Sequence, residues 1–175
     1  VSSAGGSLYE GAFGQFEVGY GPTYSVETPL RIASMTKAVT SVAAMQLVEQ
    51  GKLELDEPVA RWLPELTTPH VLEADGTLRP AKTQITARHL LTHTAGFGYE
   101  IWSDRLVAHV REHGLPEREG GGAFLANPLL FDPGEHWAYG VNTDWLGELI
   151  VAVSGQPLSG YFGEQILGSL GMNSS

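Results

Sequence analysis

Ser34-Met35-Thr36-Lys37 opens a largely apolar run over residues 38–48 and sets a hydroxyl and an amine three residues apart. On a helix, positions i and i+3 share a face, so the two groups can meet. A serine activated by a neighbouring lysine needs no more hardware than this, and no histidine. Alone the pattern is weak, because a serine at a helix start with a solvated lysine one turn on is a common capping arrangement. Its surroundings strengthen it. Thr28-Pro29-Leu30-Arg31-Ile32 reads as extended chain, since Pro29 lacks an amide donor and disfavours helix before it. Ala38, Val39, Val42, Ala43, Met45, Leu47 and Val48 then cover much of the circumference, which predicts a buried helix over residues 34–50 ended by Gly51. A serine in the first turn would sit where free amides and the positive dipole end favour an oxyanion. To take a proton Lys37 must be neutral, which predicts a pKa well below the ordinary value of about 10.4.

Composition narrows the function classes. The 175 residues carry a net charge of -10 and no Lys/Arg cluster, so nucleic acid and anionic membrane surfaces are poor partners. No cysteine is present, which excludes disulfides and thiolate metal sites. No run of ~18 apolar residues offers a membrane span. The first residues lack a basic-then-apolar leader, which leans the expected compartment slightly to the cytoplasm, but Val1 reads like the middle of a strand in a truncated start, which leaves the compartment open.

Several longer stretches share one resemblance. Ile32-Ala33-Ser34-Met35-Thr36-Lys37-Ala38-Val39-Thr40, then Gly51-Lys52-Leu53-Glu54-Leu55-Asp56-Glu57-Pro58-Val59, resembles the serine β-lactamase and penicillin-binding-protein superfamily, most closely its family VIII carboxylesterases. Trp62-Leu63-Pro64-Glu65-Leu66, His89-Leu90-Leu91-Thr92-His93-Thr94-Ala95-Gly96, Pro133-Gly134-Glu135-His136-Trp137-Ala138-Tyr139-Gly140 and Ile166-Leu167-Gly168-Ser169-Leu170-Gly171-Met172 follow in order and spacing. The resemblance implies an α/β (α+β) fold of the β-lactamase/transpeptidase type, an antiparallel sheet flanked by helices beside a mostly helical region. It implies Ser34 as acylated nucleophile with its backbone amide as one oxyanion donor, and Lys37 and Tyr139 as proton-transfer partners. Val141 stands third after Tyr139 where β-lactamases of this type have Asn, and Asn142 follows, which leans from β-lactams towards esters. Asn142 and His136 are possible substrate-orienting groups. The expected reaction is hydrolysis of short-chain esters, with no cofactor and no metal. β-Lactam hydrolysis, D-Ala-D-Ala peptidase activity or a non-catalytic scaffold are the alternatives. No Lys-Thr-Gly-like strand is found, so the chain is expected to be roughly the N-terminal half of such a fold, with the C-terminal half needed in this or another chain.

The rest of the chain organises around this frame. Residues 1–55 are expected to form the N-terminal part of the α/β domain, with a Gly5-Gly6 turn and strands near residues 8–13 and 16–20. Residues 56–175 are expected to be mostly helical. A short helix should open at Asp56-Glu57-Pro58, another after Thr86, a third through Leu106, Val107 and Val110 stopped by Gly114 and Pro116, a fourth through Trp145 to Val153, and a last near residues 161–167. Gly120-Gly121-Gly122 reads as a loop. His109 and His113 share a helix face as zinc ligands do, with Glu148 a conceivable third, but amphipathic packing explains them better. His93 could act as a base for Ser34, though a ring bonded to nearby backbone suits its turn better. Arg31 could orient substrate or brace a loop.

Overall fold

The computed structural model describes residues 1–114 and 122–172. The chain divides into two compact units, Val1–Ala33 and the larger Ser34–Met172. The division falls ahead of the Ser34 helix, which belongs to the second unit. Pro116 and Gly120-Gly121 lie outside the described residues.

The first unit holds two hairpins, β1 (Ser2–Ser3) with β2 (Gly6–Ser7), and β3 (Gln15–Glu17) with β4 (Tyr20–Thr23), both antiparallel. The turn of the first is where Gly5 predicts it. Residues 8–13 form no strand, and the expected strand over 16–20 is broken because Gly19, at φ 85°, turns the chain between β3 and β4. The glycine's freedom at positive φ outweighs the strand propensity of Phe16, Val18 and Tyr20.

A 3₁₀ turn (Ala33–Met35), which starts at the last residue of the first unit, leads into α1 (Thr36–Glu49) of the second. Ser34 therefore precedes the α-helix rather than lying in its first turn. Ala33 just before it has φ 45°, in the left-handed region that a Cβ disfavours. α1 buries Thr40, Ala43, Ala44 and Leu47, the i, i+3, i+4, i+7 stripe of an amphipathic helix. Its other face is open, with Val42 and Met45 exposed, so the expectation of burial all round does not hold. The small pair Ala43-Ala44 lets α1 pack against α4 (Asn142–Ser154), which buries Trp145, Leu146, Leu149 and Ile150. Gly155 ends α4 in the left-handed conformation, its N–H bonded to Val151 O. α2 (Ala87–Leu91) starts at a capping box in which the Thr86 side chain accepts from His89 N–H and His89 Nδ1 accepts from Thr86 N–H. α3 (Asp104–His113) is capped by Ser103 and stops at Gly114. The opening expected at Asp56 is a 3₁₀ turn, Val59–Arg61, because Asp56 pairs with Arg88 (2.6 and 2.7 Å) instead of capping. The last helix begins early, as α5 (Leu158–Phe162), and passes into a π-helical turn, Gly163–Leu167.

A hairpin that the sequence reading passed over, β5 (His70–Leu72) with β6 (Leu78–Pro80), reverses at Asp75-Gly76, where the Asp75 carboxylate accepts from Thr77 N–H. On its other edge β5 bonds Leu129, with Leu72 N–H to Leu129 O and Leu129 N–H to His70 O, both 2.8 Å. The hairpin is fastened by Asp132, whose side chain is 1% exposed. Arg79 grips that carboxylate bidentately (2.9 and 2.7 Å), Lys82 N–H adds a third bond (2.7 Å), and Glu73 contacts Arg79 from the other side. The Arg79 hydrogen bonds hold the Asp132 carboxyl at a pKa of about 2.

Asp132→Asn leaves Arg79 half-paired against a buried amide and is expected to lower unfolding stability by about 3 kcal/mol in urea titration. The folded pKa lies below the unfolded value of about 3.9, so the contribution is complete above about pH 4 and disappears as pH falls through about 2. The acid limb of the stability profile should flatten in the variant.

Candidate active site

The turn before α1 carries Ser34 and the first turn of α1 carries Lys37, with Lys37 Nζ 3.4 Å from Ser34 Oγ. From the segment leading into α4, the Tyr139 hydroxyl donates to Ser34 Oγ at 2.9 Å. Lys37 Nζ also lies 5.1 Å from the centre of the Tyr139 ring. The structure thus brings together the three residues that the sequence reading linked. No side chain caps the N-terminus of α1, so its first amides stay available beside Ser34.

Tyr139 is delivered by a tight crossing. A Cβ on Gly140 would collide with Phe97 O and the Gly98 backbone, so only glycine lets the two segments pass. Behind the crossing stands Asn142, fully buried. Its Nδ2 reaches Phe97 O (3.0 Å), Ala138 O (3.2 Å) and His93 Nδ1 (3.1 Å). The two carbonyls require the nitrogen, not the oxygen, of the amide to face them, so His93 Nδ1 is the acceptor and its proton sits on Nε2. Asn142 is accordingly a brace with no surface for substrate, which corrects its expected orienting role.

His93 itself sits at φ 57°, with its carbonyl accepting from Ala138 N–H (2.9 Å). Its ring packs 4.9 Å from that of Tyr139 and bonds the Asn142 side chain, not backbone. Burial pushes its pKa below the ordinary imidazole value, and the Lys37 charge adds to this against a smaller opposing pull from Asp144. A neutral, tautomer-fixed imidazole behind the phenol is a support, not the base for Ser34. His136 is exposed and lies edge-on to Phe131 (5.3 Å). Arg31 lies in the other unit.

Protons are distributed differently from the sequence expectation. Burial pulls Lys37 down, but the phenols of Tyr139 and Tyr99 outweigh it and leave the ammonium above the ordinary lysine value. Tyr139 moves the other way, its hydroxyl held below the ordinary phenol value first by the Ser34 contact and then by Lys37. The group prepared to lose its proton is the phenol, with the lysine as its counter-charge. Tyr99 is the residue that the sequence reading missed. It faces Lys37 and meets Tyr139 edge-on at 5.6 Å, and burial first of all raises its own pKa. Its position after Gly96-Phe97-Gly98, at the crossing, was the available signal.

Away from this cluster, His109 and His113 stack at 4.5 Å, with His113 Nδ1 bonded within hydrogen-bond range of His109 O (3.0 Å). Among the described residues no three His, Cys, Asp or Glu side chains converge as a metal site.

The model of the beta-lactamase family matches residues 1–175. Monacolin J acid methylbutanoyltransferase of Aspergillus terreus is 40% identical over 158 residues, covering 86% of this chain and 38% of that protein. Esterase EstB of Burkholderia gladioli is 36% identical over 182 residues, covering 98% of this chain and 44% of that protein. Among solved structures, unliganded simvastatin synthase (LovD) from Aspergillus terreus superposes with a TM-score of 0.82 at 37% identity, over 97% of this chain and 45% of that one. The chain spans less than half the length of these relatives.

Asn142→Ala removes the donor shared by Phe97 O, Ala138 O and His93 Nδ1. It is expected to cost about 2 kcal/mol of stability by urea unfolding, because buried acceptors are left unpaired. Asn142→Gln, too long for the same three contacts, should not restore it.

Proposed function

The chain belongs to the beta-lactamase family, and from that premise we propose that the full polypeptide is a serine acyl-transfer enzyme that cleaves short-chain esters through an acyl-Ser34 intermediate. The observation that carries the reading is the placement of Ser34 Oγ within 3.4 Å of Lys37 Nζ and 2.9 Å of the Tyr139 hydroxyl. In the reactive form Tyr139 is a phenolate held by the Lys37 ammonium. Ser34 Oγ attacks the acyl carbon as its proton passes to Tyr139, and the ester carbonyl becomes an oxyanion. The Ser34 backbone N–H is one donor to that oxyanion. When the tetrahedral adduct collapses, Tyr139 returns the proton to the departing alkoxy oxygen and the alcohol leaves. Water then gives a proton to Tyr139 and attacks the acyl-serine, and the same proton restores the Ser34 hydroxyl as the acid departs.

A second reading has its own support. If an alcohol takes the place of that water, the same two half-reactions transfer the acyl group, and a methylbutanoyltransferase is among the relatives. The β-lactam alternatives lose ground for want of an Asn two residues after Tyr139, where Val141 stands buried.

Labelling the full-length protein with a fluorophosphonate is expected to give one adduct, absent in Ser34→Ala. Tyr139→Phe should lower kcat/KM for p-nitrophenyl acetate by roughly a hundred- to ten-thousand-fold, the range of positioned acid–base catalysis. An adduct that survives in Ser34→Ala, or a Tyr139→Phe enzyme of native activity, would remove the assigned roles. Release of butyl acetate on adding butan-1-ol to the turnover would favour acyl transfer over hydrolysis.

A further inference from the structure

His93 and Asn142 meet in a contact that holds in one protonation state only. Asn142 Nδ2 has a pair of hydrogens to share among Phe97 O (3.0 Å), His93 Nδ1 (3.1 Å) and Ala138 O (3.2 Å). The amide keeps its nitrogen forward although its buried Oδ1 has no partner among the described residues. Turning it over would set that oxygen against the two carbonyl oxygens, so Asn142 has no acceptor to offer the ring. A proton on His93 Nδ1 would therefore point a donor at a donor. Asn142 is already fully buried and every group in the contact belongs to the described chain, so the conflict does not depend on the rest of the polypeptide. The ring in turn stands behind the phenol. Its centre lies 4.9 Å from that of Tyr139, and the His93 carbonyl accepts from the N–H of Ala138, the residue before Tyr139 (2.9 Å). A displaced His93 acts on Tyr139 through both ring and backbone.

We propose that His93 is a positioning residue that serves only while its imidazole is neutral, and that its protonation unseats Tyr139 and is a second cause of activity loss in acid, separate from protonation of the phenolate. The role of Tyr139 is that of the acyl-transfer reading above, on which the proposal rests; the conflict between His93 and Asn142 rests on their geometry alone. Three titratable groups face the ring: Lys37 from α1, Asp144 from the first turn of α4, and Tyr139 itself. Burial above all, and then the Lys37 charge, oppose a positive charge on His93, while Asp144 favours one. The site therefore resists the proton through the neutral range and gives way below the ordinary imidazole value of about 6.5.

The test follows the full-length protein from about pH 8 to about pH 5, by ¹⁵N NMR of the His93 ring, ¹³C NMR of Tyr139 Cζ, and kcat/KM for p-nitrophenyl acetate. His93 is expected to carry its proton on Nε2 at neutral pH and to titrate below about 6.5. Below that midpoint the acid limb should steepen from about tenfold per pH unit, the mark of one proton, to about a hundredfold, the mark of two. The Tyr139 resonance should shift with the same midpoint. His93→Asn keeps an acceptor oxygen near the place of Nδ1, suits a backbone at φ 57°, and has nothing to titrate. Whatever its activity at neutral pH, this variant should lose the steep part of the limb. A limb that stays at about tenfold per unit through the His93 titration overturns the proposal. So does a His93 that remains neutral until the protein unfolds, or a steep limb retained in His93→Asn. The two resonances need no turnover, so a failure of the acyl-transfer reading, seen as activity that survives Ser34→Ala, is told apart from a failure of this one.

Discussion

The 2.9 Å hydrogen bond from the Tyr139 hydroxyl to Ser34 Oγ joins groups 105 positions apart, and much of the larger unit can be read as the means of holding it. One end is fixed by α1, seated on α4 through Ala43 and Ala44. The other end is fixed where Gly140 lets the Tyr139 strand of chain pass over Phe97 and Gly98, and where Asn142 ties Phe97, Ala138 and His93 into one buried knot. Farther out, Asp132 clamps Arg79 and Lys82, which anchors the β5–β6 hairpin to the stretch that leads to Tyr139. Each of these is a polar or steric constraint on the segments that carry the two partners.

Electrostatics in the cluster follows from which groups are brought close. A lysine alone at this depth would lose proton affinity by burial. Two phenols facing it reverse the outcome, and the same proximity draws Tyr139 below its ordinary value. Around the Ser34 hydroxyl, Lys37 is thus held above the ordinary lysine value and Tyr139 below the ordinary phenol value, with His93, below the ordinary imidazole value, behind them. The relatives include both an esterase and an acyltransferase, which differ in whether water or an alcohol takes the acyl group.

What could be read in the sequence was local. Ser34 and Lys37 share a face because of their spacing, Thr86 and His89 form a cap because of theirs, and Gly114 and Gly155 end helices as glycines do. The longer motifs, through their resemblance, placed Tyr139 opposite Ser34 although nothing in their spacing could. What escaped depended on distant partners. β5 is three residues long, too short for an alternating pattern, and its surest sign was Asp75-Gly76. The Arg79–Asp132 pair spans 53 positions with no local trace. That Tyr99 faces Lys37 and opposes the effect of burial on its proton affinity left no local trace, and the burial of Asn142, a possible substrate-orienting group by its position, is set by the crossing at Gly140.

The central claim is that the phenol, not the amine, is the group that gives up its proton near Ser34. It is tested most directly by NMR titration of the full-length protein with ¹³C at tyrosine Cζ and ¹⁵N at lysine Nζ, assigned with Tyr139→Phe and Lys37→Met. The account predicts that Tyr139 ionises below the ordinary phenol value of about 10 while Lys37 remains an ammonium above about 10.4, and that Lys37→Met moves Tyr139 upward. A Lys37 that deprotonates first, with Tyr139 at or above its ordinary value, would contradict it.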